Sequence, residues 1–185
     1  MGTTQISTTA PLRIAYADPP YPGCAHMYKD HPDYDGEVDH VELIDRLVNE
    51  YDGYCLHTSS VALAEVLSYF ARCADVEMPR VMAWVKPFAA FKRNVPVAYA
   101  WEPVLVKAAR KPVVKTGMTY RDWCSENITM QRGLTGAKPE YVCHWLFEVM
   151  GCDRDDELVD LYPGTGAVTK AWETWSRQLR IEIPA

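Results

Sequence analysis

Apolar residues in this chain fall into short runs divided by polar turns, with helical periodicity in between. Leu12 to Ala17 is apolar apart from Arg13 and stops at two prolines, which reads as a buried strand. Gly23 to Asp39 is polar and too rich in Pro, Gly and Asp for a helix. Such a loop beside a reactive strand tip could close over a substrate. From His40 to Tyr51 the residues Val41, Ile44, Leu47 and Val48 recur on one helical face, with Asp39 placed as N-cap. Gly53 to Thr58 predicts a second strand, and Ser59 or Ser60 would cap a helix running to about Cys73. Arg80 to Lys86, stopped by Pro87, predicts a third strand and Pro103 to Ala108 a fourth. The chain between them is too short for a parallel crossover, so these two should run antiparallel.

Beyond Lys111 the pattern weakens. Arg121-Asp122-Trp123 is compatible with a helical turn, and the rest of the stretch to Gly136 reads as loop. Pro139 then fits the first turn of a helix reaching Met150, with Gly151 as its stop. Glu157 to Tyr162 predicts a strand, Ala167 to Arg177 a helix, and Leu179 to Ile183 a last strand. Alternating strands and helices at both ends predict an α/β fold, a three-layer sheet in a single domain over residues 11–185. Residues 1–10, rich in Thr, read as a flexible tail without the features of a signal peptide. No apolar run approaches the ~20 residues a membrane span requires, so no membrane partner is expected. Six cysteines without a Cys-x-x-Cys pair suit a reducing, cytoplasmic setting.

The net charge of −6 argues against indiscriminate nucleic-acid binding, but the charge is unevenly placed. Lys86 to Lys115 carries +6 against −12 elsewhere, from Lys86, Lys92, Arg93, Lys107, Arg110, Lys111 and Lys115 opposed by Glu102. Such a strip suits phosphate contacts, and it equally suits a solvated loop. His26, His31 and His40 share an acidic loop without helical ligand spacing, so no metal site is expected. His57 and His144 read as packed or hydrogen-bonded, and Trp84, Trp101, Trp145, Trp172 and Trp175 as core.

Chemistry gathers at two strand ends. At Ala17-Asp18-Pro19-Pro20-Tyr21 the prolines fix φ near −65° and remove two amide donors, forcing a rigid, extended exit from the sheet. A carboxylate and an aromatic ring flank that exit. They can accept hydrogen bonds from an exocyclic amino group and stack on a planar base. The second is Asp160-Leu161-Tyr162-Pro163-Gly164-Thr165-Gly166, a strand followed by a small-residue turn and a helix start. Its glycines allow close backbone approach to a ligand, and the helix start offers free amides. No Lys-Ser/Thr pair follows, which argues against a phosphate-binding loop. Glu182, 16 residues after Gly166, reads either as a ribose-binding carboxylate at a strand end or as a surface residue.

Taken together, these segments resemble the DNA amino-methyltransferases that act on N6 of adenine or N4 of cytosine. Asp18-Pro19-Pro20-Tyr21 resembles their catalytic tetrapeptide, and Asp160 to Gly166 their S-adenosylmethionine motif, with Tyr162 where Phe is usual. Gly136-Ala137-Lys138-Pro139-Glu140 resembles their Lys-Pro motif, and Trp101-Glu102-Pro103-Val104-Leu105 a segment after the catalytic strand pair. The order, catalytic motif first and cofactor motif last, is the permuted order of the beta-type enzymes. It is also that of the family containing the mRNA adenosine methyltransferases, which usually has Trp where Tyr21 stands. An RNA methyltransferase or a non-catalytic binding module on the same fold is the alternative. The resemblance implies a Rossmann-like methyltransferase sheet, with S-adenosylmethionine as cofactor and DNA as substrate. By the same token Asp18, Pro19, Pro20 and Tyr21 would be catalytic. Lys138, Pro139, Asp160, Tyr162, Gly164, Thr165, Gly166 and Glu182 would hold the cofactor, and Lys86, Lys92, Arg93, Lys107, Arg110 and Lys111 would contact nucleic acid. Asp18, where the cytosine enzymes more often have Ser, favours adenine N6. No separate target-recognition domain is visible beyond about 20 residues near Thr116–Thr135. A homodimer or a DNA-contacting partner is compatible with so small a chain.

Overall fold

The computed structural model describes residues 10–29, 36–73, 76–88, 95–114, 118–128 and 137–181. The expected N-terminal tail lies, but for residue 10, outside them, as do Lys92, Arg93, Lys115 and Glu182.

Six strands form one sheet in the order β5-β3-β4-β2-β1-β6. They are β1 (Arg13–Ala17), β2 (Gly53–His57), β3 (Arg80–Val85), β4 (Trp101–Lys107), β5 (Trp123–Ser125) and β6 (Glu157–Asp160). β1 pairs in parallel with both β2 and β6. β4 runs antiparallel to β2 and to β3, as the short connection between β3 and β4 requires. The helices are α1 (His40–Glu50), α2 (Leu63–Phe70), α3 (Glu140–Val149) and α4 (Ala167–Ile181).

Successive side chains of a strand point to opposite faces, and this alternation divides the core in two. Ile14, Tyr16, Cys55, Trp84 and Val104 pack with Cys143, Leu146 and Phe147 of α3 and with Val168 and Trp175 of α4. Ala15, Ala17, Tyr54, Leu56 and Leu105 pack with Leu43, Ile44 and Leu47 of α1 and with Val66 and Phe70 of α2. The expected three layers are present.

Several local expectations are corrected. The buried face of α1 is His40, Leu43, Ile44 and Leu47, one position round from the predicted stripe, and Val41 is exposed. Asp39 does cap it, accepting from the amides of Val41 and Glu42. α2 is shorter than predicted, because a turn at residues 60–62 precedes it and Ser59 Oγ accepts from Ala62 N within that turn. Arg121-Asp122-Trp123 is not helical: Trp123 opens the edge strand β5, parallel to β3. Leu179–Ile181 continues α4 instead of forming a strand. No Gly or Pro interrupts residues 167–181, and the straight-chain residues there are good helix formers. Trp84, Trp145 and Trp175 are core as expected, but Trp101 is 40% exposed.

Candidate active site

The strand directions bring the chemistry to one sheet edge. β1, β2 and β6 end there, and so does β3, whose Trp84 is paired with Glu102 near the start of antiparallel β4. Between β1 and β6 the chain leaves to opposite faces, α1 covering one and α4 the other. Ligands of open α/β sheets bind in such a crevice. Asp18 lies just past the end of β1. Asp160, the last residue of β6, is paired with Tyr16. The two sequence motifs therefore meet at the crevice, although 142 positions separate their carboxylates.

The Asp18 side chain is 24% exposed, and Lys138 Nζ reaches its Oδ1 at 3.1 Å. Pro19 is buried, and Pro20 and Tyr21 are partly so. Tyr21 O accepts from Cys24 N, and Gly23, at positive φ, turns the chain back towards Glu37. The rigid exit predicted for the double proline is thus held by hydrogen bonds just beyond it.

Behind Asp18 lies a polar network sunk into the core. Glu102 Oε1 accepts from Lys138 Nζ and from His57 Nδ1, each at 2.6 Å, and its Oε2 accepts from Lys86 Nζ at 2.7 Å. His57 Nε2 lies 2.8 Å from the Tyr16 hydroxyl. The Trp84 ring faces both ammonium groups, 4.4 Å from Lys86 Nζ and 5.0 Å from Lys138 Nζ. Burial pushes the Glu102 carboxyl up, but Lys138, His57 and Lys86 outweigh it and hold it well below the usual carboxylate range. Burial likewise disfavours the Lys138 ammonium, and Asp18 and Glu102 more than compensate, so it stays charged.

Asp18, His57 and Glu102 bring ligand atoms within 4.8 Å of one another, a spacing that could suit a metal ion. Lys138 already sets an ammonium against both carboxylates, so their charge is met without one.

Across the crevice, Asp160 Oδ1 accepts from Tyr162 N at 3.3 Å, while its Oδ2 is sealed from solvent with no hydrogen-bond partner. Burial pushes this carboxyl up to about 6, with the Tyr162 amide and the Thr169 side chain opposing and Asp18 adding to the rise. The turn that follows uses Gly164 and Gly166 at φ of 46° and 73°, and a Cβ on Gly166 would meet nothing within 4 Å. Thr165 is exposed, Tyr162 is partly buried towards α1, and α4 begins directly after Gly166. The arrangement suits a ligand that carries a positive charge and presses against backbone.

The remaining predicted residues divide. Pro139 is the N-cap of α3, and Lys138 before it points to Asp18 and Glu102. Glu182 is outside the described residues, and the strand expected to carry it is helix through Ile181. The basic strip is not one surface. Lys86 stands at the site edge but is spent on Glu102. Lys107 is paired with Tyr54 at the opposite end of the sheet, where Arg110 binds Asp156 and Lys111 follows it. Lys92 and Arg93 lie outside the described residues.

Sequence reasoning missed Glu102, His57 and Tyr16 as site residues. The available signal was a Glu and a His set inside apolar strand runs, where a buried polar group must find partners.

No protein-family model matches the chain, and no curated protein matches it significantly. Solved structures do share its fold, which is that of the S-adenosylmethionine-dependent methyltransferases. One is the M1.HpyAVI-SAM complex, with a TM-score of 0.58 and 16% identity, over 89% of this chain and 79% of that one. Another is M1.HpyAVI, with a TM-score of 0.59 and 16% identity, over 90% and 77%. Among the described residues no helix is long and apolar enough to cross a membrane.

Proposed function

We propose that this chain is an S-adenosylmethionine-dependent DNA methyltransferase acting on the exocyclic amino group of a base, adenine N6 in particular. The observation that carries the reading is the meeting of Asp18 at the tip of β1 with Asp160 and its glycine turn at the tip of β6. The fold shared with a protein crystallised with SAM supports it.

The residues on the β6 side fit the cofactor. The unpartnered Asp160 Oδ2 suits a cationic ligand, and the open space at Gly166 lets a bulky one approach the backbone. Tyr162, Gly164, Thr165 and Gly166 would line its methionine and sugar portions. When bound, S-adenosylmethionine supplies an electrophilic methyl group on a sulfonium.

The chain's own residues supply acceptance and orientation. A target base would be flipped out of its stack to reach the recessed edge. Its amino group would donate to the Asp18 carboxylate and to the Pro19 carbonyl, and its ring would stack on Tyr21. These contacts draw the nitrogen lone pair out of conjugation and aim it across the crevice. On taking up a methyl group the nitrogen would give up one proton, and the solvent-accessible side of Asp18 would accept it. Positioning supplies much of the rate. A cytoplasmic setting is part of the proposal.

The test is methyl transfer from labelled S-adenosylmethionine to unmethylated DNA, with the modified nucleoside identified by mass spectrometry. N6-methyladenine is expected, falling by about 10²- to 10³-fold in Asp18→Ala, the range for losing one transition-state hydrogen-bonding group. N4-methylcytosine would keep the mechanism and change the base. Absence of transfer to any nucleic acid would overturn the reading.

A further inference from the structure

Glu102 is nearly fully buried, and the reaction proposed above does not call on it. A carboxylate in a core is costly, and buried ion pairs are often less stabilising than apolar residues of the same volume. Stability is therefore a poor reason for this one. Its partners suggest a better reason, because they form a closed circuit.

Starting at Asp18 Oδ1, the circuit passes to Lys138 Nζ at 3.1 Å and on to Glu102 Oε1 at 2.6 Å. It continues through His57 Nδ1 at 2.6 Å and from His57 Nε2 to the Tyr16 hydroxyl at 2.8 Å. Tyr16 in β1 and Asp18 just past its end are two residues apart, so the circuit closes on the backbone it began from. With Glu102 accepting at Nδ1, the imidazole carries its proton there, and Nε2 accepts from the Tyr16 hydroxyl. Burial pushes the Tyr16 phenol well up, which keeps that donor protonated.

An ammonium is a rotatable point charge that does not by itself fix the carboxylate it meets. Here Glu102 gives Lys138 a second, buried acceptor beside Asp18, and Lys86 on Oε2 with Trp84 against both ammonium groups fixes Glu102 in turn. The only carboxylate of the circuit with appreciable exposure is Asp18, at 24% against 5% for Glu102. A rigid assembly thus ends on the one group facing the crevice.

We propose that Glu102 is a positioning residue: acting through Lys138, with His57 and Tyr16 closing the circuit, it fixes the Asp18 carboxylate for the incoming amino group. The proposal rests on the methyl-transfer reading.

The test measures kcat, KM for both substrates, cofactor affinity and Tm in the full chain for Glu102→Gln, Lys138→Met, Lys138→Arg and the double variant Glu102→Gln/Lys138→Met. Glu102→Gln and Lys138→Met should each lower kcat by about 10²-fold, the scale of an ångström-sized misplacement. Cofactor affinity should stay within about threefold, because the circuit does not touch Asp160. Lys138→Arg, which keeps the charge, should recover part of the rate. The double variant should be no worse than either single one, since the two residues act as a unit. If Glu102→Gln does not fold, the Lys138 pair decides: Arg no better than Met overturns the proposal. A folded Glu102→Gln with native kcat overturns it, as does a rate loss matched by equal loss of cofactor affinity or multiplied in the double variant. A native chain that transfers no methyl group overturns the underlying reading first and this proposal with it.

Discussion

Asp160 carries two opposite demands in one side chain. Its Oδ2 is sealed without a hydrogen bond, and burial pushes its carboxyl up to about 6. The folded state therefore holds the proton longer than the unfolded chain, whose Asp titrates near 3.9. As pH rises from about 4 to about 6 the unfolded state ionises first, and the native state loses stability relative to it. The loss is on the order of 1 kcal/mol once solvent screening at this partly buried site is discounted. Asp160→Asn should remove that loss, so urea unfolding at pH 5 and pH 8 should show the variant gaining on the native protein at the higher pH. Binding should respond with the opposite sign. Ionised Asp160 attracts a cationic ligand, so affinity for S-adenosylmethionine should rise through about pH 6 and level off above it. In Asp160→Asn the affinity should be lower and flat across that range by calorimetry. A native affinity that does not change with pH would separate Asp160 from the cofactor.

At the scale of elements, the far end of the sheet is tied by one carboxylate. Asp156 accepts from Leu12 N and Asp153 N, and Arg110 grips both its oxygens while donating to Gly151 O. The start of β1, the exit of β4 and the turn between α3 and β6 meet there. Burial alone would raise the Asp156 carboxyl, but the Arg110 hydrogen bond and the two amides hold it down. Its stabilisation is thus present above the unfolded Asp range and is lost as pH falls through the lower folded value. Asp156→Ala should cost about 3 kcal/mol at pH 7, the scale of breaking a buried pair, and the deficit should shrink in acid unfolding titrations. The elements that were legible in the sequence carry their cause locally. Asp39 caps α1, the double proline ends the β1 exit, and Gly151 stops α3. β5 was not legible because three residues with one buried Cys124 give no periodic signal. The end of α4 misled because Leu-Arg-Ile-Glu-Ile alternates like a strand. The site was half legible for the same reason. Asp18 and Asp160 announce themselves beside prolines and glycines, whereas the Glu102 circuit joins residues 36 to 120 positions apart. Nothing in local sequence states such a pairing.

For the whole molecule, the question is how an acidic chain of net charge −6 would hold a polyanion. The basic strip supplies the answer only after the fold divides it. β4 carries the chain across the sheet, roughly 20 Å for seven residues, so Lys107, Arg110 and Lys111 end at the edge opposite Asp18. Lys86 remains at the site edge with its charge met by Glu102. The link between β3 and β4 leaves the site edge at Lys86 and returns to it at Trp101, with Lys86 N donating to Ala100 O. Lys92 and Arg93, outside the described residues, belong to that link in sequence, and the proposed phosphate contacts would fall to them. Lys107→Glu/Lys111→Glu should therefore leave DNA affinity within about twofold and its salt dependence unchanged. Lys92→Glu/Arg93→Glu should weaken binding and lower the slope of log affinity against log salt by about 1.8, the value for two phosphate contacts on duplex DNA. Fluorescence anisotropy at four or five salt concentrations decides between them. Were the slope to fall only in the Lys107/Lys111 variant, the DNA would lie along the edge away from Asp18, and binding and chemistry would belong to different faces of the sheet.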